Sequence, residues 1–442
     1  MRTILKDKKV LKDCKIYQML VAQSKRPHLS FHTPGHKNAE WDLTELSYSD
    51  NLSCPNGCIA EAERDIAKRL GAERSFLLTD GSTAGVLAML YAAKRLGGKT
   101  IFACEESHKS LFNGAKTLGL ELLLYPRFYH EKIPYEPTVY ELKERFGGLL
   151  ERADVLFITS PDYYGNVADL TELEKYCKES GKLLLIDGAH GGHLRFEKKL
   201  HASAVADMWV DGVHKSLPAF TQGAVVSAKN EKIAEVLSEG VDVFRTTSPS
   251  YPIMASVEYA VKYPRNEALE KAVKAYQESE PRVYRNQDWT KLCVAVGKKA
   301  FEAERELQAD GFYPEFCDGH ILMFYLSPAL KFSAWKKLKE RLKKLFTKYP
   351  LEREEMERNS IQRVPAYAVF EKEALEWVDL DEACGRVCAG NCGLFPPCTP
   401  LIRVGDIITE EKLALLQRAD NTFGLQGHKI AVLKEKKGEQ CL

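Results

Sequence analysis

The sequence predicts an α/β fold built on a mostly parallel sheet. Three observations lead there: short, continuous apolar strand candidates, helical stretches between most of them, and polar residues that recur just after the predicted strand ends. Uninterrupted apolar strands separated by helices are the pattern of a sheet buried on both faces. In such sheets ligands bind outside the carboxyl ends of the strands.

Residues 1–30 read as an N-terminal arm, with a helical stretch from Val10 to Gln23 before Ser24-Lys25-Arg26-Pro27. Ile59 to Leu70 has helical spacing and stops at Gly71. Ser75 to Thr79 is strand-like, and Ala84 to Leu96 is a helix rich in alanine and leucine, closed by Gly97-Gly98. Further strands are expected at Ile101–Cys104, Leu122–Tyr125, Val155–Thr159, Leu183–Ile186, Met208–Val210 and Gly223–Ala228. Tyr251 to about Glu278 reads as helical with a break at Pro264. These elements make a large domain over residues 31–285. Residues 286–442 make a smaller α+β domain, with a strand at Ile321–Leu326 and a basic helix, Trp335–Lys348, that turns Leu338, Leu342 and Phe346 inward.

The composition narrows the class. Of 442 residues, 45% are apolar and 28% charged, as in a soluble globular protein, and 63 lysines and arginines balance 62 acids, which leaves no nucleic-acid footprint. No apolar run is long enough to span a bilayer, and Met1-Arg2-Thr3-Ile4-Leu5-Lys6 does not open a signal peptide, so the expected location is the cytoplasm. The basic stretches Lys6–Lys9 and Lys434–Lys437 read as solvated ends. Twelve cysteines are scattered along the chain. The spacing of Cys384, Cys388, Cys392 and Cys398 lacks the two-residue gaps of a zinc knuckle, so these and the pair Cys54 and Cys58 read as buried reduced thiols, and no metal is expected.

Three chemical capabilities follow one another along the chain. Gly81-Ser82-Thr83 opens a helix, where free N–H groups, the helix dipole and two hydroxyls suit an anion. Ser and Thr are also ordinary N-cap residues. Asp187 ends an apolar strand, where a carboxylate needs a partner such as a protonated pyridine nitrogen. Lys215, beside His214, can become a nucleophilic amine when burial lowers its pKa. His108 offers a ring face that can stack on an electron-poor ring. A phosphate, a ring nitrogen and an aldehyde are the three groups of pyridoxal phosphate, so the set points to that cofactor and to an enzyme acting on an amino acid.

Phe31-His32-Thr33-Pro34-Gly35-His36-Lys37, Asp80-Gly81-Ser82-Thr83, Ser107-His108-Lys109-Ser110, Ser160-Pro161-Asp162-Tyr163-Tyr164-Gly165, Asp187-Gly188-Ala189-His190 and Val213-His214-Lys215-Ser216 occur in that order. The set resembles the ornithine/lysine/arginine decarboxylase family of the aspartate-aminotransferase fold (fold type I), with short bacterial arginine decarboxylases closest. The resemblance covers residues 30 to 260, with an echo at Phe395 to Asp406. It implies a mostly parallel seven-stranded sheet flanked by helices, with a smaller C-terminal domain. It implies that Lys215 binds the cofactor aldehyde, Asp187 pairs with the ring nitrogen and His108 stacks on the ring. Gly81, Ser82, Thr83 and His214 would hold the phosphate. Ala189 and His190 would also touch the cofactor, His190 near its phenolic oxygen. A homodimer or higher oligomer is implied, with Thr246 to Tyr251 near the interface. The expected activity is decarboxylation of a basic amino acid, arginine first and lysine or ornithine otherwise, in polyamine synthesis.

Several positions depart from the family pattern. Gly212 stands where a serine usually donates to the phosphate, and Gly188 replaces a glutamate. Cys398-Thr399, Val404 and Asp406 replace Gly-Ile, proline and glutamate. Asp406 is the acid offered for the distal cation of the substrate. Two alternatives stand beside the decarboxylase: an aminotransferase or other lyase in which Arg403 grips the α-carboxylate, and a catalytically weak, regulatory relative.

Overall fold

In a computed structural model of the chain, residues 5–26, 29–37, 41–130, 133–350, 374–396 and 398–434 are described. Seven strands form the central sheet: β1 (Arg74–Leu78), β2 (Thr100–Cys104), β3 (Glu121–Tyr125), β4 (Val155–Thr159), β5 (Leu183–Gly188), β6 (Met208–Asp211) and β7 (Ala224–Ala228). Their order is β1-β7-β6-β5-β4-β2-β3. The run from β6 to β3 is parallel, and β7 is antiparallel to both its neighbours.

The antiparallel strand has a simple cause. Parallel neighbours need a long crossover, whereas a short connection can only turn the chain back. Between β6 and β7 the chain has only residues 212–223, including the one-turn helix Val213–Ser216. That short return presents Lys215.

Helices cover both sheet faces. Gly81–Arg95 (α1) and Glu231–Phe244 pack on one face around Val86, Met89, Leu90, Leu237 and Val241. Cys58–Leu70 and Tyr251–Lys262 pack on the other, around Ile59, Ile66, Met254 and Val257. The arm joins this second core through Ile16 and Leu20. Its expected single helix is two, Lys8–Lys12 and Lys15–Ser24. The buried carboxylate of Glu258 accepts from the amides of Lys15 (2.6 Å) and Ile16 (3.0 Å), fixing a new helix start there.

Beyond Tyr263, the helix Glu267–Ser279 packs its Leu269 and Val273 against β8 (Lys291–Ala295), β10 (Ile321–Tyr325) and the helix Phe332–Lys348. With β9 (Phe316–Cys317) these strands form an antiparallel sheet in the order β8-β10-β9. The basic helix buries Trp335, Leu338, Leu342 and Leu345. Leu345 therefore takes the inward position expected of Phe346, which is only partly buried. A last small core gathers Cys388, Cys392, Ile402, Ile430 and Val432.

Cys388, Cys392 and Cys398 are buried, but Cys54 and Cys384 are exposed, which corrects the buried-thiol reading for those two. Among the described residues no cluster of His, Cys, Asp and Glu could hold a metal, and no helix is long and apolar enough to cross a membrane. Of the C-terminal basic stretch, residues 435–437 lie outside the described residues.

Candidate active site

The carboxyl ends of the parallel strands share one edge of the sheet, and the sequence places its chemistry there. The turn after β1 carries Asp80 and Gly81, that after β2 Ser107 and His108, and that after β4 Ser160 to Tyr164. Asp187 is the second-last residue of β5, paired in register with Thr159 and Val210. Lys215 follows β6.

Lys215 and His190 meet directly, with Nζ and Nε2 3.1 Å apart. Burial pushes the Lys215 ammonium below its ordinary pKa, against the opposing pull of Asp187, and Lys291 pushes it further down. His190 is driven well below its usual range by burial and by Lys215, so it is neutral. A neutral ring accepting at Nε2 carries its proton on Nδ1, which is buried without a hydrogen-bond partner.

Asp187 is 3% exposed and has one hydrogen bond, from the Ala189 amide at 3.1 Å. Burial raises its pKa although Lys215 opposes the shift. His108 caps the helix Lys109–Leu118: its Nδ1 accepts from the Ser110 amide (3.2 Å), so Nε2 carries the proton. Burial, with Lys215 and Lys109 adding to it, lowers its pKa to about 3.

On the anion side, the Gly81 amide is already bonded to the Gln222 carbonyl at 2.9 Å, and Gly81 has φ +75. Gly81 shapes the turn there, and its amide is not free for a ligand. Ser82 Oγ is buried and has no partner. Thr83 is exposed at the start of α1. His214 Nδ1 lies 3.0 Å from the Gly223 carbonyl, to which it donates.

Gly212 is explained by space. A Cβ there would come within 2.3 Å of the Ala189 carbonyl oxygen and 2.8 Å of Ser82 Oγ. A serine could not occupy this backbone without moving the Asp187–His190 turn, so glycine is what this packing requires.

Several neighbours of the site were not singled out from the sequence. Tyr325 stacks on His190 (centroids 5.6 Å), and Tyr163 meets His190 edge-on at 4.6 Å. Lys291 Nζ lies 3.8 Å from the centre of the Tyr325 ring and is bonded to Asp288, which also holds His193 at 2.7 Å. A lysine at the head of the apolar run Leu292 to Val296 was the available signal. Asp406 lies apart from Lys215's direct contacts: its carboxylate is held by Arg403 and Lys412. Arg403 is itself shared between Asp406 and Glu105.

These residues fit pyridoxal phosphate: an unpaired buried carboxylate for the ring nitrogen, a depressed amine for the aldehyde, and an unpartnered serine hydroxyl at a helix start for the phosphate. The sequence profile of the Orn/Lys/Arg decarboxylase major domain matches residues 39–281. The chain is 28% identical to the uncharacterized protein YaaO of Bacillus subtilis, over 91% of this chain and 93% of that protein. It is 25% identical to the Bacillus subtilis arginine decarboxylase, over 96% of this chain and 99% of that enzyme. Among solved structures, the Escherichia coli constitutive lysine decarboxylase superposes with a TM-score of 0.69 at 18% identity, covering 95% of this chain and 82% of the other. Pseudomonas aeruginosa lysine decarboxylase A gives 0.73 at 15% identity, with 95% and 80% covered. At such identities the structural likeness speaks for the fold.

Proposed function

The chain belongs to the Orn/Lys/Arg decarboxylase family, whose chemistry is decarboxylation of a basic amino acid, and we propose that its own reaction is arginine to agmatine with pyridoxal phosphate as cofactor. Lysine and ornithine are the other candidate substrates. The carrying observation is that buried Asp187 and the Lys215–His190 pair, 3.1 Å apart, share one strand edge with the unpartnered Ser82 hydroxyl.

When bound, pyridoxal phosphate supplies an electron sink for the bond that loses carbon dioxide. Each residue then has a task. The Asp187 carboxylate would hold the proton on the ring nitrogen, and His108, neutral, would cover the ring face. Ser82, Thr83 and His214 would hold the phosphate. With Nδ1 committed to Gly223, His214 must take up a proton at Nε2 before it can donate there. Lys215, its pKa lowered by burial, is the amine that would hold the cofactor aldehyde, and it could deliver a proton to the substrate Cα. Tyr163 and Tyr325 wall the site with aromatic rings, which limits water around the developing charge.

The aminotransferase reading needs a free arginine for the α-carboxylate. Arg403 is engaged by two carboxylates, which supports the decarboxylase instead. The reading of a weakened relative rested on Gly212 and on the altered motif around Cys398 to Asp406, and the Ala189 contact gives the glycine a packing cause. A homodimer, the cytoplasm and polyamine synthesis complete the proposal. Leu29 (83% exposed) and Phe31 (89%) on the arm are apolar side chains that a second copy would cover.

The test is carbon dioxide release by purified protein with pyridoxal phosphate, with arginine, lysine and ornithine supplied separately beside Lys215→Ala. Release from arginine that the variant loses by at least about 10²-fold, the low end for a positioned proton-transfer group, is expected. No release from any of the three, with cofactor bound, would overturn the proposal.

A further inference from the structure

A basic substrate brings a cation at the far end of its side chain, and a buried or half-buried cation needs a carboxylate. The carboxylates around the site can be taken in turn. Asp187 faces the ring nitrogen. Asp288 is held by His193 (2.7 Å), Thr290 (2.6 Å) and Lys291 (3.3 Å). Asp162 and Glu136 enclose the guanidinium of Arg127. Glu105 and Asp406 share Arg403, and Asp406 takes Lys412 as well. Asp318 accepts from Tyr164 (3.0 Å) and from the amides of His320 and Ile321.

Asp80 accepts from the Thr79 hydroxyl (3.4 Å) and the Thr246 amide (3.3 Å), which leaves Glu106 and Glu315, each with a single tyrosine hydroxyl as its side-chain partner. Glu106 accepts from Tyr129 at 3.0 Å, and the cation it feels is Arg127. Glu315 accepts from Tyr163 at 3.3 Å, and the cations it feels are Lys215 and Lys291. No ion pair reaches Glu315 among the described residues.

Its placement is specific. Glu315 immediately precedes β9, and its neighbour Phe316 packs edge-on against Tyr163 at 5.4 Å. The Tyr163 ring in turn meets His190 at 4.6 Å, and His190 meets Lys215. From the reacting end to Glu315 the contacts thus run through one imidazole and one tyrosine ring. Glu315 is open to solvent, so a ligand can reach it. It is also ringed by enough protein to push its carboxyl above the ordinary range, so a cation there is not lost in bulk water.

We propose that Glu315, oriented by Tyr163, is the specificity-determining carboxylate that receives the distal cation of the substrate. The inference rests on the decarboxylase reading and deepens it. Asp406 does not serve this role, because its charge is already spent on Arg403 and Lys412.

The experiment compares holoenzyme of the natural chain with Glu315→Gln and Tyr163→Phe. Steady-state kinetics use the best of the three basic amino acids, and calorimetry uses agmatine, cadaverine and putrescine, which carry the distal cation without a carboxylate. Glu315→Gln is expected to raise KM and the Kd of the matching amine by about 10- to 100-fold, the size of one charged hydrogen bond, with kcat changed less than about threefold. Tyr163→Phe should give a smaller change in the same direction. An unchanged KM and amine Kd in Glu315→Gln overturns the inference. A fall in kcat with KM unchanged also overturns it, since Glu315 would then act by positioning Tyr163 and His190. If the natural chain releases no carbon dioxide from any basic amino acid, the reading of the activity fails by itself. Amine binding that is lost in Glu315→Gln would still establish the cation site.

Discussion

Replacing Asp187 by asparagine should move the cofactor-free and cofactor-loaded proteins in opposite directions. In the cofactor-free chain Asp187 is 3% exposed, with one hydrogen bond and no ion pair among the described residues. A buried charge in that state costs several kcal/mol. Asparagine keeps the acceptor for the Ala189 amide and the volume, and leaves an amide N–H whose lack of a partner costs about 1–3 kcal/mol. The weak pull of Lys215 is also lost, so the net gain for the cofactor-free variant is about 1–2 kcal/mol. The folded pKa is raised above the ordinary value of 3.8, so the penalty is absent below that value and complete above the raised one. The advantage of the variant should therefore grow as the pH rises above 3.8 and vanish on acidification below it. With the cofactor the sign reverses, since breaking a buried ion pair costs about 3–5 kcal/mol. That is about 10²- to 10⁴-fold in cofactor affinity at 1.36 kcal/mol per decade. Thermal melts with and without pyridoxal phosphate read the first effect, and absorbance titration reads the second. A cofactor-free variant that melts no higher than the natural chain, or a cofactor affinity changed by less than about threefold, would refute the reasoning.

Two further outcomes follow from the same geometry. Gly212→Ala forces a Cβ to 2.3 Å from the Ala189 carbonyl, so it should cost about 1–3 kcal/mol of stability and weaken cofactor binding; equal urea midpoints would show that the turn yields freely. His108 has its pKa lowered to about 3 by burial and its neighbouring lysines, from an ordinary 6.5. The unfolded chain binds that proton between those values and the folded chain does not, so stability should fall with falling pH at about 1.4 kcal/mol per unit for this one proton. In His108→Phe the slope between pH 4 and 6, from urea unfolding of the cofactor-free protein, should be smaller by that one proton; an unchanged slope would mean His108 is charged when folded.

What the sequence made legible was the local and the repetitive. Each strand of the central sheet was an apolar run of the right length, and the polar residue following it fell on the shared edge because parallel strands all end there. Asp187, His108 and Lys215 could be placed by that rule. Residues supplied from far along the chain could not. Tyr325, Lys291 and Glu315 reach the site only because β8 and β10 pack beside the turn after β4, and nothing in their neighbourhoods announces a destination more than 100 residues upstream. Asp406 shows the converse. As an acid in a recognisable motif it looked available, but whether a carboxylate is free depends on its partners, and Arg403 and Lys412 become visible as partners only in three dimensions. Gly212 is similar: read along the chain it is a missing hydroxyl, and in space it is the only residue that the Ala189 carbonyl leaves room for.

The antiparallel β7 ties together the two strand ends that lead to Gly81 and Lys215. The proposed cofactor carries its phosphate and its aldehyde at fixed separation, so under that proposal the Gly81–Thr83 turn and Lys215 must stay in register. The short return from β6 to β7 ends in Gln222 and Gly223, and both clamp the site. The Gln222 carbonyl takes the Gly81 amide at the head of α1, while the Gly223 carbonyl takes both the backbone amide of His214 and its Nδ1. β7 then lies between β1, which leads into the anion turn, and β6, which leads into Lys215. One two-residue link thus ties the Gly81–Thr83 turn to the Lys215 segment through the backbone bonds of Gln222 and Gly223. A parallel strand here would need a crossover helix, and that longer connection would separate the two halves of the site from the link that now holds them in register.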